Sequence, residues 1–221
     1  MCGRFVIDIP GKLLQQTFNL PEVPQLEPRY NVTPAQLAAV VRNQGDHNRL
    51  DLLKWGLVPM WSKDPGVGSS LINARCDSAF DKPAFRHALK YRRCIVPVSG
   101  FYEWERSGEH KKQPWFVRMA NHAPMFLAGL WESWQAPSGN ELETFAIMTT
   151  SANTLVAPFH DTMPMILHPD SFTLWLSHNM HDPEQLQPLH VPFPAAGMAA
   201  HKVADLVNNP HYDSPECIEP V

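Results

Sequence analysis

The segment RCIVPVSGFYEW, at residues 93–104, is the longest strand candidate in the chain. Its β-branched and aromatic residues favour extended structure. Working outward from it, seven further runs are apolar or alternating and are bounded by Gly, Pro or Asn, so they also predict strands. These runs lie at 37–42, 50–58, 114–119, 125–134, 144–151, 163–167 and 198–204. The pattern indicates a strand-rich chain in which several strands pair as antiparallel neighbours.

Three short helices are predicted among these strands, because apolar residues recur at helical spacing. They cover 11–18, 82–91 and 170–178, and Asp81 and Asp170 are suitable N-caps for the last two. With 221 residues, 44% of them hydrophobic, the chain can bury a sizeable core. We therefore expect a single α+β domain over 1–221, with curled antiparallel and mixed sheets forming a barrel-like core and short helices at its periphery.

Charge is distributed unevenly along the chain. The formal net charge of −4 disfavours a polyanionic partner by itself, but residues 1–118 hold 17 of the 18 Lys and Arg residues. These residues include 11 acids, giving +6, whereas residues 119–221 have one Lys and 11 acids, giving −10. The densest basic run, RHALKYRRC at 86–94, is either a solvated helix face or part of a phosphate-binding surface.

Targeting signals and metal motifs are not recognisable in the sequence. No apolar run approaches the roughly 18 residues of a membrane-spanning helix, and the first residues lack a signal-peptide pattern. The four cysteines, at positions 2, 76, 94 and 217, form no CxxC pair. This argues against a disulfide framework and a zinc site. We expect a cytoplasmic protein, nucleoid-associated in a bacterium, with no metal or other cofactor.

The chain begins with MCGRF. Cytoplasmic maturation usually removes an initiator Met that precedes a small residue, which would leave Cys2 with a free α-amine beside its thiol. One residue would then carry two nucleophiles. The alternative is that Cys2 begins a buried strand, since free Cys packs like a small hydrophobe.

Two polar stretches could supply binding and proton-transfer groups. In LINAR, Asn73 and Arg75 are two apart, so in an extended segment both lie on one face and could hold a polar substrate and its phosphate. A turn Asn followed by a surface Arg is an equally ordinary explanation. In GFYEWER, Glu103 lies between aromatic residues, and desolvation there would raise the pKa of its carboxyl towards that of a neutral-pH proton carrier. Glu105 shares its face, and spacing does not choose between them.

Loop residues add a candidate imidazole and candidate stacking groups. His160, in APFHDTMP, is placed in a loop between two prolines, where a rigid support would suit a catalytic imidazole. Pro34, Trp55 and Trp61 lie near Gly and Pro residues, where an exposed ring could stack on a base or wedge between bases. Tryptophan is more often part of a core, so we expect few of the seven to reach a ligand.

Taken together, the blocks MCGRF, RYNVTP, WGLVPMW, LINAR, GFYEW, MTTSAN, FHDTMP and VNNP resemble the SOS response-associated peptidase (SRAP) family in nearly the whole chain. The resemblance implies a strand-rich domain that acts, as a monomer, on abasic sites in single-stranded DNA or at junctions with double-stranded DNA. It also implies a covalent thiazolidine cross-link through the amine and thiol of Cys2.

The resemblance implies roles for particular residues. Glu103 would shuttle protons, His160 would assist opening of the sugar ring, and Asn73 would orient the amine and the sugar. Two further pairs would contact DNA: Arg4 and Arg75 at phosphates, and Pro34 and Trp61 where stacking is interrupted. The basic 82–93 segment would extend the groove. One position departs from the family pattern, because Thr162 follows the HD of the histidine block where Arg is frequent, so a basic contact is missing.

Three other functions remain open at this point. An N-terminal-nucleophile glutamine amidotransferase also begins Met-Cys-Gly, although no glutamine-binding motif follows here. A non-covalent single-strand binding module would not need Cys2. A peptidase, as the family name suggests, would cleave its own leading residue or other proteins.

Overall fold

The structure, a computed structural model, describes residues 2–23, 25–105 and 112–221. The strands in this part of the chain are β1 (Phe5–Ile7), β2 (Arg29–Val32), β3 (Leu37–Asn43), β4 (Asn48–Trp55), β5 (Asn73–Arg75), β6 (Arg93–Val98), β7 (Gly100–Trp104), β8 (Pro114–Met119), β9 (Met125–Gln135), β10 (Glu141–Ser151), β11 (Thr162–Pro164) and β12 (Met198–Lys202). The α-helices are α1 (Gly11–Phe18), α2 (Arg86–Tyr91) and α3 (Phe172–Leu176). Short 3-10 helices cover Pro65–Ser70, Pro169–Ser171, Pro183–Leu189, Ala195–Gly197, Asp205–Asn208 and Pro215–Ile218.

Five strands close into a barrel in the order β10, β4, β3, β6, β9 and back to β10. All neighbours in this ring are antiparallel except β4 and β10, which are parallel. The second half of β10 also pairs with β5 and β11, which extend the barrel wall. A second, antiparallel sheet has the order β12, β8, β7, β1, β2. The expected α+β, strand-rich fold with a barrel-like core is confirmed.

The middle of β3 is buried on both faces. In β3, Ala38 and Val40 belong to an apolar cluster shared with the second sheet, whereas Ala39 and Val41 belong to a cluster shared with the three α-helices. Successive strand residues point to opposite faces, so a continuous apolar run is what such a strand requires. The cluster between barrel and second sheet contains Cys2. Cys2 therefore lies in the interior.

The predicted single strand at 93–104 is wrong: the stretch forms two strands in different sheets. Ser99 separates β6 in the barrel from β7 in the second sheet, and its Oγ bonds both the amide nitrogen and the carbonyl oxygen of Asp8, at 2.9 and 3.0 Å. Gly100 follows, where a Cβ would collide with the Val117 carbonyl oxygen and the Phe116 ring. The passage of the chain from β6 to β7 thus depends on the Ser99 side chain, which fixes the bend, and on the absence of a side chain at Gly100.

The C-terminal segment closes over the outer face of the second sheet. Asn31, which is fully buried, donates through Nδ2 to the carbonyl oxygens of Val207, Asn209 and Tyr212, at 3.3, 3.0 and 2.6 Å. Its Oδ1 accepts a hydrogen bond of 2.8 Å from Arg4 Nη1. The buried amide of Asn31 therefore connects β2 and Arg4 to the C-terminal segment.

Several predicted boundaries shift for local reasons. The strand predicted at 50–58 ends at Trp55, because Gly56 has a φ of +123° and takes the chain out of the sheet. The predicted N-caps are wrong: Phe85 and Ser171 occupy those positions for α2 and α3. Residues 78–85 form successive turns ahead of α2, and Asp170 lies in a 3-10 turn ahead of α3. Among the described residues, no helix is long and apolar enough to cross a membrane.

The basic segment at 82–93 contributes mainly to packing at its C-terminal end. Arg93 is 5% exposed, and its guanidinium donates to five backbone carbonyl oxygens, those of Leu89, Lys90, Trp175, Ser177 and Met180. Arg92 is ion-paired with Glu132 and lies over the Trp131 ring. The expectation that the whole segment extends a DNA groove is therefore wrong for Arg93, whose donors are committed to holding α2 and α3 against the barrel.

Replacing Arg93 should unfold the protein more readily. We expect Arg93→Ala to lower the free energy of unfolding by about 3 kcal/mol or more, because five buried carbonyl groups lose a charged donor. Arg86→Ala, at an exposed position of the same helix, should change it by less than about 0.5 kcal/mol. Urea denaturation followed by circular dichroism measures both, and equal midpoints for the two variants would contradict the assigned role.

Candidate active site and nucleic-acid interface

Cys2 is buried just ahead of β1, which lies between β7 and β2 in the second sheet. Its Sγ is 3.8 Å from the Arg4 carbonyl oxygen. Burial, and after it the negative charge of Glu103, raise the pKa of the Cys2 thiol to about 12. The thiol is therefore uncharged at neutral pH, and the negative charge of Glu103 further disfavours its ionisation.

Asn73 binds the backbone of Cys2 across the gap between barrel wall and second sheet. Its Nδ2 donates a hydrogen bond of 2.7 Å to the Cys2 carbonyl oxygen. Its Oδ1 is buried and has no hydrogen-bond partner among the described residues. Asn73 and Arg75 occupy alternate positions of β5, with buried Ala74 on the opposite face, as the extended reading of LINAR requires. The amide thus fixes the main chain of Cys2 and leaves one buried acceptor without a partner among the described residues.

Glu103 is placed in the interior by the alternation of β7. It is 4% exposed and lies opposite Trp115 of β8, whereas Tyr102 points to the other face and packs with the C-terminal segment. Glu105 follows the end of β7 and is only partly buried. The structure therefore separates the two glutamates that spacing leaves equivalent, and it is Glu103 that acts electrostatically on Cys2.

His160 is held at the end of a turn that Asn153 organises. Asn153 Oδ1 accepts from the amides of Leu155 and Val156, both at 3.0 Å, and the His160 amide donates to the Val156 carbonyl oxygen at 3.1 Å. Thr162 donates from its amide to His160 Nδ1, also at 3.1 Å. Because Nδ1 accepts, the neutral imidazole carries its proton on Nε2.

Thr162 occupies the position at which arginine is frequent in the family pattern. Its side chain is 4% exposed, and its Oγ1 lies 3.1 Å from His160 Nδ1. The position supplies no positive charge here and instead supports the imidazole.

A ring contact connects the His160 loop to the strand pair that carries Glu103. The rings of Phe159 and Trp115 pack with centroids 5.2 Å apart. Trp115 Nε1 is buried without a hydrogen-bond partner among the described residues. Sequence reasoning missed Trp115 as part of the site, because an aromatic residue in the PWFVRM strand is indistinguishable from a core residue until its cross-strand partner is known.

The two predicted phosphate-binding arginines differ in their availability. The Arg75 side chain is 51% exposed and is ion-paired with Asp77 through contacts of 3.1 and 2.5 Å. Arg4 instead bonds Asn31 and the Val207 carbonyl oxygen, and its guanidinium lies 5.8 Å from the centre of the Trp104 ring. Arg75 is therefore open to an exchange of partners, whereas Arg4 is already part of the C-terminal connection.

The predicted stacking residues lie in the segments that precede and follow the β3–β4 hairpin. Pro34 is half-buried in the turn before β3, and Trp61 lies in the loop after β4, where its side chain is 63% exposed. Trp55 is 1% exposed, packs against Phe5 with ring centroids 4.7 Å apart, and is a core residue. Among the described residues no group of three or more His, Cys, Asp or Glu side chains is suited to hold a metal ion.

Comparison with known proteins gives this arrangement a family. The chain is 41% identical to the abasic site processing protein YoqW of Bacillus subtilis (strain 168), over 99% of both chains. It is 30% identical to the abasic site processing protein YedK of Escherichia coli (strain K12), over 100% of both chains. With the abasic site processing protein HMCES of Mus musculus it shares 28% identity, over 100% of this chain and 76% of the other.

The fold agrees with these similarities. A crystal structure of a protein from Bacteroides thetaiotaomicron superposes with a TM-score of 0.79 and 26% identity, covering 87% of this chain and 85% of that one. Residues 1–210 match the family model described as SOS response associated peptidase (SRAP). The chain, with Cys2 buried and bonded at its carbonyl group by Asn73, belongs to the SRAP family.

Proposed function

We propose that this protein captures abasic sites in single-stranded DNA, or at junctions with double-stranded DNA, as a covalent cross-link through Cys2 after Met1 is removed. The observation that carries the proposal is the 2.7 Å hydrogen bond from Asn73 to the Cys2 carbonyl oxygen, made where Glu103 acts on the thiol. The names of YoqW, YedK and HMCES as abasic site processing proteins support the class of substrate.

The chemistry requires both nucleophiles of an N-terminal cysteine. The α-amine, with an ordinary pKa of about 7.7–8.0, is substantially unprotonated near neutral pH and attacks the aldehyde carbon of the ring-opened sugar. Loss of water gives an imine. The thiol sulfur then adds to the same carbon while its proton passes to nitrogen, which closes a five-membered thiazolidine. The balance is one water released, with no change of oxidation state.

The surrounding side chains divide the proton transfers. The Cys2 thiol is uncharged in its buried setting, so sulfur attack needs a group to receive its proton, and Glu103 is placed to do so. His160, with its proton on Nε2, serves the sugar ring oxygen. Asn73 holds the main chain of Cys2, so that the amine and thiol approach the aldehyde from a fixed position.

DNA binding is assigned to the exposed residues around this site. Arg75 exchanges Asp77 for a phosphate, and Trp61 and Pro34 interrupt base stacking on one side of the lesion. Arg4 contributes its charge from a position set by Asn31. The protein acts as a monomer, and residues 1–221 act as one domain, since the C-terminal segment is bonded to the strands that carry the site.

The decisive test mixes mature protein with a single-stranded oligonucleotide from which uracil has been excised. Denaturing electrophoresis should show a shifted band that Cys2→Ala abolishes and Cys2→Ser fails to stabilise, because a hydroxyl closes the ring poorly. Mass spectrometry of the same sample must show residue 2 at the N-terminus. An unshifted band from correctly processed protein, or release of ammonia from glutamine instead, would overturn the proposal.

Glu103→Gln should slow appearance of the cross-link by about 10²-fold. The direction of the effect is informative, because removing the negative charge also lowers the thiol pKa and by itself would favour attack. Glu105→Gln, beyond the end of the strand, is the matched control and should leave the rate within about twofold of the original, below the size of a lost proton-transfer contribution. A faster reaction of Glu103→Gln would show that this carboxyl is not the proton acceptor.

Trp61→Ala should weaken equilibrium binding to a DNA junction by about tenfold, the loss expected for one stacked base. A Cys2→Ala background prevents cross-linking during the measurement, and fluorescence anisotropy reports the affinity. Val191→Ala, another exposed apolar position at 58%, is the control for a general loss of surface. Equal affinities for both variants would remove Trp61 from the interface.

A further inference from the structure

Thr149 lies on the face of β10 that packs towards Cys2. Along this strand, Phe145 and Ile147 belong to the apolar cluster that contains Cys2, whereas Ala146 and Met148 belong to the cluster under the helices. By the same alternation Thr149 points towards the second sheet. It does so at 1% exposure, so its hydroxyl is inside the protein.

This hydroxyl differs from those of the other two threonines of β10. Thr144 Oγ1 accepts from the Val58 amide at 2.8 Å, and Thr150 Oγ1 donates to the His190 carbonyl oxygen at 3.0 Å. Thr149 Oγ1 is buried and has no hydrogen-bond partner among the described residues. Buried polar groups are almost always bonded, and a protein that keeps one unbonded loses stability without gain unless a ligand completes it.

The register of β5 and β10 places this hydroxyl beside two groups already assigned to the substrate. Asn73 lies beside Ile147, and Arg75 lies beside Thr149, with all four side chains on one face. Along that face Cys2 and Asn73 therefore lie at the inner end, and Thr149 lies one side-chain position further out, level with the half-exposed Arg75. Asn73, whose Oδ1 has no hydrogen-bond partner among the described residues, is the diagonal neighbour of Thr149 across the two strands.

A ring-opened abasic sugar has groups that match this arrangement. Its aldehyde carbon, C1′, goes to Cys2, and ring opening creates a hydroxyl three bonds further along the chain at C4′, between the C3′ and C5′ carbons that carry the phosphates. A hydroxyl both donates and accepts, and so does the threonine that faces it. A closed ring has an ether oxygen at that place and offers no donor.

We propose, building on the function proposed above, that Thr149 is a substrate-binding residue whose hydroxyl hydrogen-bonds the C4′ hydroxyl of the ring-opened sugar. The contact forms with the reactive, open form of the lesion and is weaker with the closed form. It therefore favours the species that carries the aldehyde, and it positions the carbon chain between the nucleophile and the phosphate contact.

The test uses the full-length chain in a Cys2→Ala background and two unreactive strands. One carries a borohydride-reduced abasic site, which is open and has the C4′ hydroxyl; the other carries a tetrahydrofuran analogue, which is closed. We expect tighter binding of the reduced strand, and Thr149→Val should reduce that preference by about tenfold while leaving tetrahydrofuran binding within about twofold. Thr149→Ser should restore the preference.

Two controls separate this role from a structural one. Thr149→Val should leave the unfolding temperature unchanged or raise it, because an unbonded polar group is removed. Thr150→Val should lower the unfolding temperature and leave the preference for the reduced DNA strand intact. If Thr149→Val does not fold, Thr149→Ala must show the same loss of preference.

The outcomes also distinguish the two proposals. In the reactive protein, Thr149→Val should slow cross-linking to the natural abasic strand by about tenfold. A preference for the reduced strand that survives both Thr149→Val and Thr149→Ala overturns this inference while the cross-linking function stands. Absence of any cross-link with the unsubstituted, processed protein overturns both.

Discussion

The hydrogen bond between Asn73 and the carbonyl of Cys2 joins two parts of the molecule that share no backbone ladder at that point. Cys2 belongs to the second sheet through β1, and Asn73 belongs to the barrel wall through β5. The position of Cys2 therefore depends on how the two sheets pack, which the apolar cluster around Phe5 and Phe101 determines. The site is a product of the packing between layers and not of any single loop.

Burial of this site has a chemical meaning. In a dry environment the neutral forms of an amine and a thiol are favoured over their ions. In the proposed reaction, condensation with an aldehyde begins from a neutral amine, so the environment would suit the first step and would make the second depend on a neighbouring base. The same environment disfavours the thiolate that oxidants and alkylating agents require. In the proposed mechanism, burial thereby protects the Cys2 thiol from adventitious reaction until the aldehyde arrives.

How far the sequence predicts this structure depends on the reach of the interactions involved. The helix at 11–18 and the strand at 37–42 follow from local periodicity, and the structure has them at Gly11–Phe18 and Leu37–Asn43. The break at Ser99 was not predictable, because the group that holds it is Asp8, distant in sequence. Short strands such as β1 and β2 escaped notice because three or four residues carry no period.

The same limit applies to the site. Alternation within LINAR was enough to place Asn73 and Arg75 on one face, but the choice of Glu103 over Glu105 needed the end of β7 and its partner strand. Arg93 looked like one more charge in a basic run, and only the carbonyl groups around it reveal its use in packing. Thr149 lies in the MTTSAN block, but nothing in the sequence indicates its role, since an unbonded hydroxyl can be recognised only when every neighbour is known.

The hydrogen bonds between Asn31 and the C-terminal segment have a consequence for the chain while it is being synthesised. The partners that bury the first residues, β7 and the carbonyl groups at 207–212, are synthesised long after Cys2 emerges. At about 5–20 residues per second, the interval is roughly 5–20 s for β7 and roughly 10–40 s for the carbonyl groups of the tail. Until the tail has been made, Arg4 and Asn31 lack these partners. Late closure by the tail would leave time for the proposed removal of Met1 before the first residues are enclosed.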